Sequence, residues 1–160
     1  MARITTNTTG TQPVIIIGLA GANLANTAET LTIPFVQDLT ITNSTGVYSY
    51  TDFTDPDMRK LSTPADNKLS TNMVIDNEAY FGNSAAAANT APFYGIATMS
   101  NQKNELDFEV YWNGTATDAY FYSGGGFITN LAPKTSPTAP VWVTPLDIAV
   151  DGAFTVAQVP

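Results

Sequence analysis

The chain contains no cysteine and no histidine, and those two absences remove several chemistries together. Without thiols there are no disulfides, no thiolate metal ligands and no cysteine nucleophile. Without imidazole there is no catalytic triad of the usual kind, no common zinc site and no switch that titrates near neutral pH. Charge is scarce too: charged residues make up 12% of the chain, about half the share of an ordinary soluble domain. Positive charge is the rarer sign, with six Lys and Arg against 14 Asp and Glu, a net charge of -8. A surface that grips nucleic acid is built from clustered Lys and Arg. Only Arg59 and Lys60 are adjacent, so no basic groove is expected. The longest apolar stretch, Val14 to Ala22, is roughly half of what a spanning helix needs. The start, Met1-Ala-Arg-Ile-Thr-Thr-Asn, lacks the charged and apolar blocks of a signal peptide. Neither membrane insertion nor secretion is expected, and no cofactor; the chain reads as made and used inside a cell before any release.

What is present is a 160-residue chain with 44% hydrophobic and 11% aromatic residues, enough for one domain with a sizeable core. Its polar surface is supplied by Thr, Ser and Asn rather than by charge. Burying hydroxyls and amides against a partner costs far less than burying unpaired charges. Low charge therefore suits self-assembly, and equally suits a stable β fold that assembles with nothing.

Short runs of β-branched and aromatic residues between turn signals predict an all-β fold, an antiparallel sandwich or barrel. Residues 1–12 read as a mobile N-terminal arm and residues 13–160 as a single β domain. Val14 to Ile17 predicts a buried strand. Thr30 to Thr42 predicts another, with Leu31, Ile33 and Phe35 on one face and a bulge or edge at Pro34, which cannot donate to a ladder. Val47 to Tyr50 follows as a strand. Thr51 to Thr71 shows no sustained period and reads as a long interfacial loop that touches a neighbouring copy. Asn72 to Asp76 returns to strand, and one short helix is expected within Asn77 to Ala88. Further strands are expected at Phe93 to Ser100, Glu105 to Trp112, Thr117 to Ser123, Gly126 to Leu131, Val141 to Thr144 and Leu146 to Val156. The last carries a break at Gly152, and Gly124-Gly125-Gly126 reads as a hairpin turn.

The sharpest pattern is Glu105-Leu-Asp-Phe-Glu-Val-Tyr-Trp112. Its period of two sends Leu106, Phe108, Val110 and Trp112 to a core and the carboxylates Glu105, Asp107 and Glu109 to the opposite face. Like charges two residues apart on a strand repel, so the face is either solvated and paired to cross-strand Thr or Lys, or the lining of a wet channel that repels a polyanion. A glycosidase pair is a third possibility, since side chains at i and i+2 have workable spacing. One strand face supplies no cleft, however, and no catalytic centre is expected. Asp52, Asp55 and Asp57 raise the question of calcium, but they lack the glycine and distal Glu of a calcium loop. Turn capping is the simpler role, with Arg59 and Lys60 competing for those charges.

The layout resembles that of phage tail tube proteins, also called major tail proteins. The residues that carry the resemblance are Gly46-Val-Tyr-Ser-Tyr, Leu69-Ser-Thr-Asn-Met-Val-Ile-Asp leading to Tyr80-Phe-Gly82, Lys103-Asn-Glu-Leu-Asp-Phe-Glu-Val-Tyr-Trp, Gly126-Phe-Ile-Thr-Asn-Leu and Ser136-Pro-Thr-Ala-Pro-Val-Trp-Val. The resemblance covers roughly residues 40–156. It implies a β-sandwich closed into hexameric rings that stack into a tube, a virion structure assembled in the host cytoplasm. The partners it implies are further copies of the chain, other tail proteins and DNA that passes through the lumen without specific binding. On this chain Glu105, Asp107 and Glu109 become lumen candidates, and the loop with Asp52, Asp55, Asp57, Arg59 and Lys60 becomes the ring-stacking candidate. The apolar early segment Val14 to Ala22 departs from the family's layout. Two other readings fit the composition: another virion β module such as a capsid decoration protein, and a carbohydrate-binding module presenting Tyr120, Tyr122 and Trp142.

Overall fold

A computed structural model describes residues 12–51, 57–112, 114–115, 118–136 and 139–160. Ten strands and two helices follow in the order β1 (Val14–Leu19), β2 (Leu31–Thr32), β3 (Val36–Thr42), β4 (Thr45–Tyr50), β5 (Arg59–Ala65), β6 (Asn67–Val74), α1 (Asn77–Phe81), α2 (Ala91–Gln102), β7 (Leu106–Tyr111), β8 (Tyr120–Leu131), β9 (Lys134–Ser136) and β10 (Ala139–Gln158). Eight strands form one antiparallel sheet in the order β2-β1-β7-β8-β10-β6-β3, with β9 added on β10. The expected all-β class is borne out as a curled half-barrel. Among the described residues the remaining two strands, β4 and β5, pair only with each other.

The curl has a local cause at the Pro34 corner, where the expected interruption is found. The Ile33 N–H donates to the Ile15 carbonyl on β1, and two residues later the Phe35 carbonyl accepts from the Val74 N–H on β6. A single short crossing thus ties one side of the sheet to the other. Phe35 makes the crossing in the left-handed region, with φ of 51°, uncommon for an aromatic residue. Its ring is 66% exposed, so it does not join Leu31 and Ile33 on the inner face as the alternation predicts.

Inside the curl lie Ile15, Ile17, Leu69, Met73, Leu106, Phe108, Leu146 and Ile148, all fully buried. Each such side chain contributes about 1.5–3 kcal/mol relative to leaving it exposed. Tyr80 from α1 and Ile96 and Met99 from α2 close the same cluster. The strand expected at Phe93 to Ser100 is in fact α2. Aromatic and β-branched content suggests a strand there, but Pro92 in the first turn favours helix, and Ile96 and Met99 sit at i and i+3 on one helical face. Gly95 kinks this helix at φ of 68°, and a Cβ there would stand 2.2 Å from the Gly82 nitrogen. The two backbones therefore touch directly. The expected short helix is α1, capped by Asp76, whose Oδ2 accepts from the Glu78 and Ala79 N–H groups at 3.1 Å each. Ala85 to Ala88 lies outside it, in turns.

Gly124 to Gly126 is no hairpin turn, because β8 runs straight through it. A Cβ on Gly124 would press 3.1 Å from the Phe108 ring, and one on Gly126 would meet the Ala149 carbonyl at 2.1 Å. These glycines make room for close packing rather than for a bend. Likewise β10 is one strand through Pro145, with an irregularity between Asp151 and Thr155 that carries the expected break at Gly152. The described part of Thr51 to Thr71 is not an aperiodic loop: it contains all of β5 and the first five residues of β6. In β6, Asn67, Leu69, Thr71 and Met73 all point inward, so two of its four core positions are polar. Thr71 satisfies its hydroxyl on the Asp38 carbonyl, and the Asn67 amide donates to the Gly152 carbonyl at 2.7 Å.

Candidate assembly surfaces

Strand β7 alternates as its sequence predicts over Leu106 to Tyr111, with Leu106, Phe108 and Val110 buried and Asp107, Glu109 and Tyr111 half-buried on the other face, whereas Trp112 lies past the strand's end, half-buried and outside the core cluster. Glu105 precedes the strand and is exposed. Register then extends this face across the sheet. Asp107 stands opposite Gly125, and Gly125 opposite Asp151. Asp147 lies four residues before Asp151 on the same strand, opposite Ser70. Asp38 faces Asn72, next to Ser70's row. The strands thus bring five carboxylates, Asp38, Asp107, Glu109, Asp147 and Asp151, onto the face that turns away from the core. Two ammonium groups share it: Lys68, opposite Ala149, and Lys134, opposite Val143 near the far end.

Most partners of these acids are neutral donors, so hydrogen bonding fixes their positions without cancelling their charge. The Gly21 N–H donates to Asp107 Oδ2 at 2.7 Å, and the Tyr111 hydroxyl to Glu109 Oε2 at 2.6 Å. Asp38 accepts from both the backbone and the side-chain amide of Asn72, at 2.8 and 2.7 Å. Asp147 is the exception, 3.3 Å from Lys68 Nζ. Burial pushes its carboxyl up, but hydrogen bonds from Asn130 and Ser70, with the Lys68 charge, outweigh this and hold it below the ordinary carboxylate range. Tyr111 is shifted the other way: burial, and then the hydrogen bond and negative charge of Glu109, raise its hydroxyl far above a free phenol.

The second surface is the hairpin of β4 and β5. Tyr48 stands opposite Leu61 and Tyr50 opposite Arg59, and the two tyrosine rings stack at 6.2 Å. Val47, Tyr48 and Leu61 are 59%, 59% and 55% exposed. Of the residues expected in the stacking loop, Lys60 and Arg59 are exposed on β5 and Asp57 just before it, whereas Asp52 and Asp55 lie outside the described residues. So does the expected arm, apart from Gln12. Lone two-stranded hairpins are marginally stable in water, and apolar side chains on one are unfavourable until something covers them.

No family model matches the sequence, and no curated protein is similar to it in sequence. Solved structures are similar in fold. A chain from the tail of an empty gene transfer agent particle, determined with C6 symmetry, superposes with a TM-score of 0.61 at 14% identity, over 91% of this chain and 96% of that one. A chain from the extended sheath–tube complex of an extracellular contractile injection system superposes with a TM-score of 0.54 at 13% identity, over 93% and 90%. A chain from the tube-terminating cap of the anti-feeding prophage does so at 0.55 and 14% identity, over 99% and 94%. What is shared is the fold.

Asp38, Asp147 and Asp151 escape sequence reading because their shared face depends on strand order. No local pattern around Asp147 or Asp151 marks them as neighbours of Asp107. The one available signal, alternation through Leu146-Asp-Ile-Ala-Val-Asp151, predicts the two acids on one side but not which strands flank them.

Proposed function

We propose that this chain is a structural, non-enzymatic subunit of a phage-like tail tube, assembling as hexameric rings that stack around a lumen. Glu105, Asp107 and Glu109, joined by Asp151, face that lumen. The β4–β5 hairpin, with Arg59, Lys60 and the acids at 52, 55 and 57, contacts the next ring. A negatively charged wall repels a passing polyanion, which lets DNA slide without sticking, and other tail proteins cap the two ends. The particle tail is then where the subunit resides, after assembly in the host cytoplasm.

The observation that carries this reading is the two-sidedness of the main sheet. One face holds the core cluster, and the other holds five carboxylates, of which Asp38, Asp107 and Glu109 are held by neutral donors. Open edges support it: among the described residues β3 ends the sheet with no strand paired on its outer side, and the opposite edge is the two-residue β2. Edges of this kind invite pairing with another copy, and ring closure removes them. The six-fold symmetric tail that shares the fold adds support of the same kind. Electron microscopy of the purified protein tests it, with tubes of uniform bore expected. Reconstructed density that puts Asp107 and Glu109 on the outer wall, or a protein that stays monomeric at high concentration, removes the reading.

A tube-terminating cap is the second reading, favoured by the likeness to the anti-feeding prophage cap. A cap closes a tube as a single ring and does not stack on itself. Single rings without filaments in the same micrographs select it.

A further inference from the structure

At the end of β6 remote from the hairpin lies an apolar cleft of about 620 Å³, walled by Ile75, Tyr80, Phe81, Val141 and Trp142 with Asn77 among its few polar groups. Its floor is held by the Ile75 N–H, which donates to the Trp142 carbonyl at 2.8 Å. Phe81 and Trp142 are 63% and 54% exposed, so apolar surface continues from the cleft onto its rim. Small-molecule sites of this volume are mostly apolar but carry a few precisely placed polar groups that orient a ligand. A lining this poor in them suits apolar side chains instead.

We infer that this cleft is the receptor for the β4–β5 hairpin of a second copy, with Tyr48 and Leu61 inserting beside Trp142. The placement of the two features supports it. The hairpin joins the sheet at Asp66, whose N–H donates to the Ser44 carbonyl just before Asn67 opens β6. The cleft begins at Val74, where β6 closes. At the strand rise of ~3.3 Å per residue, the root of the hairpin and the cleft stand about 23 Å apart at opposite poles of one rigid strand. A projecting apolar element at one pole and an apolar recess at the other are both covered in a closed pair only when two copies lie antiparallel, an arrangement that builds no stack. In a tube they meet head to tail, and a head-to-tail contact repeats without limit unless its rotation closes it. Each added copy covers one hairpin and leaves one exposed, which gives the stack a direction. This rests on the tube reading above and names the contact that joins successive rings.

The absence of cysteine makes the test clean. Copies carrying Tyr48→Cys are mixed with copies carrying Val141→Cys, assembled and mildly oxidised. A disulfide-linked dimer is expected from the mixture and from neither variant alone. Wild-type protein that forms no tube overturns the tube reading and this contact together. Tubes that form from the mixture without the dimer overturn only the contact, as does a dimer from Tyr48→Cys copies alone. Should the cysteine copies not assemble, hydroxyl-radical footprinting of free and assembled wild-type protein decides. Tyr48 and Trp142 are expected to lose their oxidation together, and a Trp142 that stays as reactive in the tube as in the free copy overturns the contact.

Discussion

The same four residues, Lys-Leu-Ser-Thr, occur twice within a dozen positions, as Lys60 to Thr63 in β5 and as Lys68 to Thr71 in β6. Both copies are strands, and both are paired antiparallel. Leu61 is 55% exposed and Leu69 is wholly buried. Since composition, local propensity and charge are identical, the difference comes from what lies above each strand. Strand β6 is flanked by β10 and β3 under a shared core, whereas β5 pairs with β4 alone among the described strands. Strand formation here is local, and burial is not.

The sharpest way to break that comparison is to truncate the two leucines in turn. Leu69→Ala removes a side chain from a close-packed interior and is expected to cost about 2–5 kcal/mol, read as a lower urea midpoint with an unchanged slope. A loss below the bottom of that range means that the β6 environment relaxes around the gap. The threonines come next. Thr71→Val keeps the shape of a buried residue but strands the Asp38 carbonyl, at an expected cost of about 1–3 kcal/mol. The same change at the half-buried Thr63 is expected to fall within about 0.5 kcal/mol of wild type.

The carboxylate beside Lys68 adds a test by pH. Lys68 and Ser70 help to hold Asp147 below the ordinary carboxylate range, so the folded chain binds fewer protons at that site than the unfolded chain does. Stability from this source is complete above the unfolded carboxylate value of about 3.9 and is lost as pH falls through the depressed folded value. Asp147→Asn is therefore expected to flatten the acid limb of a urea-midpoint profile between neutral pH and about pH 3, and an unaltered limb refutes it. Lys68→Ala alone costs no more than about 1 kcal/mol, because its ammonium remains well solvated. The smallest effect is expected for Leu61→Ala on the free copy, within about 0.5 kcal/mol. In sedimentation of the assembled protein, however, the same variant is expected to shift mass from tubes to free subunits. Equal assembly of Leu61→Ala and wild type means that the hairpin face is not a contact.

Legibility from sequence followed the range of the interactions involved. In Glu105 to Trp112 each apolar residue is flanked by polar ones, so two-residue periodicity alone assigned the faces of β7. Pro34 announced its corner through its missing N–H. Helix α2 was misread because Phe, Tyr, Ile and Thr favour strands when nothing covers them, while docking Ile96 and Met99 into the core repays the helical arrangement. Gly124 to Gly126 was misread because a run of glycine looks the same whether it bends the chain or admits the Phe108 ring from a distant strand. Of the acidic face, the β7 carboxylates were visible in advance. Asp151 joins them only because β8 and β10 happen to lie alongside in that register.

By itself the amino-acid sequence determined a sparsely charged, net acidic, thiol-free and imidazole-free β protein with one strand divided between apolar and acidic sides, since these depend on residue type and on spacing of two. The tertiary structure decided which Lys-Leu-Ser-Thr is buried, which five acids share a face, and that a bare hairpin and an apolar cleft stand at opposite poles of β6. The physical reason is that strand pairing joins residues far apart in the chain, and the energy of burial depends on the neighbours thus supplied rather than on the residue buried.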